Sequence, residues 1–217
     1  MDKHCIPIVL SRPFEKLACE ASRFWGNPAL PEDTGYPMYI DEDGEPYPYV
    51  FVCQINLEEI APYDKENRLP HKGLLSFFAK INHYLGYFED TDAVGGYVSG
   101  PDAVKVIYSP SAENLREVVL LDENEQPWSP EEMEIKFSDS HEMPLEEHAV
   151  FAPPTHREWE TWDPPFEDWE ILLQIDSFDG MDFHLNFMDC GVLDFLIDPE
   201  ALAKGDFNDV RGIVLST

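Results

Sequence analysis

Nineteen prolines and twelve glycines are scattered along the 217 residues, and between them no apolar helical period is sustained. Proline inside a helix removes a backbone donor and collides with the preceding turn, and glycine costs conformational entropy there, so long helices are excluded. What remains is a series of short runs rich in β-branched and aromatic residues: 47–55, 74–78, 104–108, 118–121, 171–175, 192–197 and 213–215. Each is bounded by Gly, Pro, Asn or Asp, the punctuation of strands. Asp43-Gly44 reads as a hairpin tip, because glycine tolerates the positive φ of a tight turn. Residues 122–126, followed by Pro127, form a second and looser hairpin. Helices are expected to be few and short. One is a single turn capped by Asn56, with Glu59 three residues on; another spans 111–117, capped by Ser111. A third spans 198–203, with Asp198 as cap and Pro199 at its first position, and a fourth spans 14–24.

The chain echoes itself. Phe51-Val52-Cys53-Gln54-Ile55-Asn56, Gly73-Leu74-Leu75-Ser76-Phe77-Phe78 and Val104-Lys105-Val106-Ile107-Tyr108-Ser109 recur in the same order. The second copies are Ile171-Leu172-Leu173-Gln174-Ile175-Asp176, Gly191-Val192-Leu193-Asp194-Phe195-Leu196 and Val210-Arg211-Gly212-Ile213-Val214-Leu215-Ser216. Two copies are too few for a solenoid, which needs three or more, but they suit one pseudo-symmetric unit with a shared core. The expected fold is α+β and strand-rich, with mixed or antiparallel sheets from a pseudo-two-fold internal repeat and a few short helices. It is expected to be a single domain over 1–217, with repeat halves at roughly 24–109 and 169–217 joined by an acidic segment, 110–168. Gln54 and Gln174 sit inside otherwise apolar strands. A buried amide without partners costs about 1–3 kcal/mol. Each is therefore expected to tie its strand to a loop backbone, the usual fate of buried amides, or else to line a cleft on the pseudo-two-fold axis.

Several ordered blocks resemble a known family. They are Arg23-Phe24-Trp25-Gly26-Asn27-Pro28-Ala29-Leu30-Pro31, Tyr36-Pro37, the Phe51–Leu57 and Leu69–Phe78 stretches, Leu173-Gln174-Ile175-Asp176, and Asp189-Cys190-Gly191-Val192-Leu193-Asp194-Phe195. Together they are similar to the YwqG-like family, a widespread bacterial domain of unknown function, over nearly the whole chain. The resemblance implies a mixed, strand-rich fold and brings no activity or catalytic residues. Members often carry two glycines where this chain has Trp25-Gly26.

Motifs for chemistry are missing. The seven histidines form no HxH, HxxxH or HExxH pattern, so no metal site is expected. The segment Asp41-Glu42-Asp43-Gly44 fails as a calcium loop, because counting back from Gly44 puts Tyr39 where the first Asp ligand belongs. There is neither a GxSxG elbow nor a P-loop, and the glycines of 94–100 lack any nucleotide-binding spacing, so that segment reads as a flexible loop and no cofactor is expected. Cys190 has acids close by in sequence, which raise a thiol pKa rather than activate it. The four cysteines have long, irregular gaps and are expected to be buried free thiols in a cytoplasmic protein. No segment reads as a secretory signal or approaches the length of a membrane span.

Charge is the other constraint. Fourteen basic residues face 44 acidic ones, a net charge of −30. Such a chain repels nucleic acid and anionic membranes. From 117 to 200 there are 24 acids against Lys136 and Arg157 alone, a net of −22. Tryptophans interleave with the carboxylates there: Trp128, Trp159, Trp162, Glu167, Asp168 and Trp169 are examples. These rings are either ordinary core or, with Trp159, Trp162 and Trp169 exposed beside Glu167 and Asp168, anchors for a basic protein steered in by the acids. The leading expectation is a non-enzymatic acidic binding module, an inhibitor or antidote of a basic protein. The alternative is an enzyme or small-ligand binder with a cleft between the repeats, lined by Gln54, His71, Gln174, Asp189 and Cys190.

Overall fold

The computed structural model describes residues 4–41, 43–81, 94–122, 124–139, 147–154, 162–180, 183–187 and 190–215. In chain order the elements are β1 (Ile6–Ser11), β2 (Arg23–Phe24), β3 (Ala29–Pro31), β4 (Met38–Ile40), β5 (Pro46–Pro48), β6 (Val50–Asn56) and α1 (Leu57–Ile60). Then come β7 (Leu74–Ala79), β8 (Val104–Ser109), β9 (Leu115–Glu117), β10 (Met133–Phe137), β11 (Ala149–Val150) and β12 (Glu170–Asp176). The chain closes with β13 (Phe178–Gly180), β14 (Phe183–Leu185), β15 (Val192–Ile197), α2 (Pro199–Ala203) and β16 (Val210–Leu215). Ten strands make one antiparallel sheet in the order β16-β15-β12-β11-β1-β10-β2-β6-β7-β8, and three two-stranded ribbons (β3-β9, β4-β5, β13-β14) accompany it. The fold is thus strand-rich with two short helices, as expected.

The strand order reads as a two-fold repeat: β6, β7 and β8 correspond to β12, β15 and β16. Both central ladders carry a bulge at the same place. The register of β6 on β7 shifts between Phe51 and Cys53, and that of β12 on β15 between Ile171 and Leu173. At the bulge the Val52 carbonyl accepts from the Trp25 N–H at 3.0 Å, and the Leu172 carbonyl from the Phe151 N–H at 3.2 Å. Trp25 and Phe151 both adopt left-handed backbone, φ 57° and 59°. A left-handed non-glycine residue costs about 1–2 kcal/mol. Gly26 follows at φ 72°, so the two adjacent glycines of the resembling family occupy positions where φ is positive here.

The repeat extends beyond the matched sequence blocks. Strands β2 and β11 correspond, and so do β1 and β10, but these last two have changed places. The N-terminal β1 pairs with β11 of the later repeat (Ile6 opposite Val150), while β10 pairs with β2 of the earlier one (Met133 opposite Phe24). They meet each other across the middle of the sheet, Ile8 opposite Phe137 and Leu10 opposite Ile135, with Val9 opposite Lys136 at the pseudo-axis.

Alternation along the strands gives the sheet two apolar faces. One is an interior shared by both halves. It contains Phe24, Cys53, Ile55, Leu75 and Phe77 from one half and Leu173, Ile175, Leu193 and Phe195 from the other. Phe77 and Phe195 meet edge to face, 5.2 Å between ring centres. The outer face of each half has its own cluster: Tyr49, Phe51 and Phe78 under Leu30 in the first, Ile171, Leu196 and Ile213 under Trp162 in the second. The sheet curls until its edge strands approach. A Cβ on Gly212 of β16 would lie 2.8 Å from Val104 Cγ1 of β8, so only glycine admits that approach. The segment from Val94 to Ser99, expected as a flexible loop, lies along β16: Gly95 O accepts from Val214 N at 2.7 Å and Gly212 O from Ser99 N at 2.9 Å.

Local signals fared unevenly. Asn56 caps α1, its side chain accepting from Glu58 N at 2.9 Å, but Glu59 turns to Ser22 N (3.2 Å) instead of completing a capping box. Asp198 caps α2 with Pro199 in its first turn. The Asp43-Gly44 hairpin forms between β4 and β5, and a bridge between Leu121 and Pro127 closes the second hairpin. No helix forms over 14–24, because Arg23 and Phe24 join the sheet and the Arg23 guanidinium takes the Ala18 and Cys19 carbonyls. Nor does 111–117 form one: Asn114 is left-handed at φ 60°, and Leu115–Glu117 pairs with Ala29–Pro31 instead. Residues 118–120 form no strand. No helix among the described residues is long and apolar enough to cross a membrane.

Gly73, which precedes β7, sits at φ 91°, and a Cβ there would lie 2.0 Å from the Ser109 carbonyl oxygen. Gly73→Ala is expected to lower stability by roughly 2–4 kcal/mol in urea unfolding. Gly35→Ala, with nothing within 4 Å of its Cβ, is expected to stay within about 0.5 kcal/mol of the parent. Equal effects would contradict the packing of β7 on β8.

Candidate functional site

The two glutamines occupy equivalent positions and do equivalent work. Both are fully buried on the outer face, opposite the shared interior. Gln54 Nε2 donates to the Cys19 and Ala21 carbonyls at 2.9 and 2.8 Å, and its Oε1 accepts from Ala29 N at 2.9 Å. Gln174 Nε2 donates to the Glu147 carbonyl at 2.8 Å. Each amide therefore clamps the segment leading into the neighbouring strand, which is the structural role anticipated for it. One residue on, the halves use different side chains for the same backbone donor. Ser22 Oγ accepts from Asn56 N at 2.8 Å, whereas His148 Nδ1 accepts from Asp176 N at 3.0 Å. That bond places the imidazole proton on Nε2. Burial lowers the His148 pKa to about 4, so the ring is neutral.

The halves diverge at the residue facing each glutamine. Ser76 lies opposite Gln54, and Asp194 opposite Gln174. Asp194 is 1% exposed, and neither of its oxygens has a partner; nor does Gln174 Oε1. Burial first, and the nearby Glu147 charge second, push the Asp194 pKa well above the usual carboxyl value. A neutral Asp194 carries an O–H donor, the group that Gln174 Oε1 across the ladder lacks. Sequence reading passed over this residue, although an acid inside the apolar run 192–197 carries the same signal as the two glutamines.

The remaining expected site residues do not converge. His71 is partly exposed, with Nε2 3.5 Å from Asp64 Oδ2. Asp64 itself takes Leu69 N at 2.8 Å, so this contact closes a loop. Cys190 is exposed at φ 59°, its N–H donating to Asn186 Oδ1 at 3.2 Å. Asp189 and Trp159 lie outside the described residues. Trp162, read either as core or as a surface anchor, is only 4% exposed and belongs to the core. Its Nε1 donates to the Trp169 carbonyl at 3.0 Å, and half-buried Trp169 meets Phe166 edge-on at 5.0 Å. These rings cover the outer-face cluster of the second half, because that face of β12, β15 and β16 needs an apolar lid. Glu167 and Asp168 are exposed. The thiols are free, but only Cys53 is buried; Cys5 and Cys19 are partly exposed, and burial pushes the Cys5 thiol up to about 11.

A cleft of about 380 Å³ opens beside β2, β10 and α1, lined by Ser22, Glu59, Tyr63, Glu134, Lys136 and Phe137 among others. None of the expected site residues lines it. Several of its polar groups are already engaged: Lys136 Nζ lies 2.8 Å from Glu134, and Glu59 holds Ser22 N. Among the described residues no three His, Cys, Asp or Glu side chains are placed to hold a metal ion.

Two measurements check this polar core. Gln54→Leu strands three backbone groups and is expected to cost about 3 kcal/mol or more, against about 1 kcal/mol for Gln174→Leu. Equal costs in urea unfolding would contradict the hydrogen-bond assignment. Asp194 binds its proton more tightly folded than unfolded, so its contribution is complete below the ordinary carboxyl pKa and is lost as pH rises towards the native value. Relative to Asp194→Asn, the parent is expected to lose about 1.4 kcal/mol per pH unit across that window. A pH-independent difference between the two proteins would show that Asp194 is ionised in the fold.

One family model matches the chain over residues 22–163 and over 122–214. No curated protein matches it. With a sheet built from a two-fold repeat and a match covering well over half its length, the chain belongs to the family described as a domain of unknown function, DUF1963.

Proposed function

We propose that this protein is a non-enzymatic binding module, a single domain acting in the cytoplasm, that captures a basic protein partner and masks its cationic surface as an inhibitor or antidote does. Within its family we place it in the YwqG-like branch, on the blocks around Trp25-Gly26, Gln54 and Gln174. The observation that carries the functional reading is the distribution of charge: 24 acids against two bases over 117–200. One of those two bases, Lys136, is already paired with Glu134. A field of one sign accelerates the encounter with the opposite sign and suppresses other partners. The interior between the repeats is filled by Phe77, Phe195 and their neighbours. That favours a surface function over a cleft on the pseudo-axis.

Titration of the purified protein with lysozyme, used as a cationic protein probe, tests the reading. Binding is expected at about 50 mM salt and is expected to weaken at least tenfold by about 300 mM, as screening shortens the range of the field. Absence of binding at low salt, or binding indifferent to salt, would contradict it.

A further inference from the structure

Resting on that reading, we infer that the partner docks on the lobe formed by the β4–β5 hairpin and the 118–128 hairpin, and that the docking segment carries apolar side chains flanked by lysine or arginine. Eight large hydrophobic side chains are exposed among the described residues. Five of them lie on this lobe: Met38 (46%), Ile40 (65%), Tyr47 (40%), Val119 (48%) and Leu121 (58%). The two hairpins stand side by side, with the Tyr47 and Trp128 rings edge to face at 5.7 Å. Tyr39 turns inward to Tyr49, 5.1 Å between ring centres, and so roots the lobe in the outer-face cluster. By strand alternation Met38 and Ile40 then face away from that cluster, beside their cross-strand partners Pro48 and Pro46. The solvent face of this ribbon is apolar along its length.

Both hairpin tips carry the same turn. Asp41 Oδ1 accepts from Asp43 N and Glu45 N at 3.0 and 2.8 Å, and Asp122 Oδ1 accepts from Asn124 N and Gln126 N, both at 2.8 Å. At the second tip, the backbone bonds from Gln126 and Asn124 lower the Asp122 pKa. Both stretches of the lobe are acidic: 31–49 holds six Asp or Glu, 117–135 holds seven, and neither contains Lys or Arg. At its root Lys80 Nζ lies 4.7 Å over the Tyr39 ring and Lys16 Nζ 2.8 Å from Glu117. Arg23 neutralises Glu117 and Glu132 from beneath, at 3.6 and 2.7 Å. Glu32, Asp33, Asp43, Glu45, Glu125 and Glu131 of these stretches are exposed.

Such a rim selects the occupant. A second copy of this chain would set acid against acid, and an anionic lipid or nucleic acid would be repelled. Extension of the sheet along β5 is blocked as well, because Pro46 and Pro48 lack the N–H that an added strand needs. The contact is one through side chains: apolar groups seated on Met38 and Ile40, with cations over the neighbouring carboxylates.

Two synthetic peptides of equal positive charge separate the possibilities, an amphipathic lysine–leucine peptide and an oligolysine. The lysine–leucine peptide is expected to bind about tenfold more tightly. The double variant Met38→Ser/Ile40→Ser is expected to abolish that preference while keeping oligolysine binding. Glu167→Gln/Asp168→Asn, outside the lobe, is expected to keep the preference. Circular dichroism confirms that the variants are folded. If both peptides bind with equal affinity, or the serine variant keeps the preference, the lobe is not the docking surface although the basic-partner reading stands. If neither peptide binds, both the surface and that reading fall.

Discussion

The β1–β10 ladder is the contact on which the architecture depends. Each strand is the first of its repeat in chain order, yet each pairs with the second strand of the other repeat as well as with its counterpart, at Val9 and Lys136. Neither half can complete its five strands without a segment from the other. Ile6 and Ile8 from β1 and Met133 and Ile135 from β10 belong to the same interior as Phe77 and Phe195. The long-range pairing that closes the sheet and the burial that stabilises it therefore form together, and the costs of closing those loops are recovered in one cooperative core.

Within this frame, polar residues hold what hydrophobic burial cannot direct. Burial is indifferent to register; the hydrogen bonds of Gln54 and Gln174 to segment backbones are not. The two halves have kept the clamp and altered its surroundings, with serine at positions 22 and 76 where the other half has His148 and Asp194. An imidazole and a carboxyl, both kept neutral by burial, replace two hydroxyls. A chain of net charge −30 thus keeps its interior uncharged at these positions and carries its acidity on the surface. The lobe over the first half is the place where that acidity meets exposed apolar side chains.

The repeat was legible because each copy sets one glutamine inside an otherwise apolar run and the flanking blocks follow in the same order. Gln54 and Gln174 marked the equivalence, and their register and bulge agree position by position. Of the strands the sequence reading missed, β2, β3, β9, β11, β13 and β14 are two or three residues long, too short to show any alternation. It also missed β1, an apolar run interrupted by Pro7, and β10, although Met133, Ile135 and Phe137 alternate there with Glu134 and Lys136. The helix expected over 14–24 failed because Arg23 and Phe24 pair into the sheet and Glu132, far along the chain, holds the Arg23 guanidinium, a tertiary pull invisible to local propensity. Tryptophans beside carboxylates left core and surface both open in the sequence, and Trp162 is an outer-face lid. The exposed apolar residues are instead Met38 and Ile40, in a short ribbon whose prolines made it read only as a turn. Sequence identifies which residues are sticky and not which face of a ribbon is left uncovered.

The exchange of first strands is the central claim, and cross-strand Hα–Hα nuclear Overhauser effects test it most directly. The account predicts contacts linking Ile6–Ser11 to Met133–Phe137 and to Ala149–Val150, and Met133–Phe137 to Arg23–Phe24. Contacts from Ile6–Ser11 to Arg23–Phe24, with Met133–Phe137 paired to Ala149–Val150, would mean that each repeat folds on itself and would contradict it.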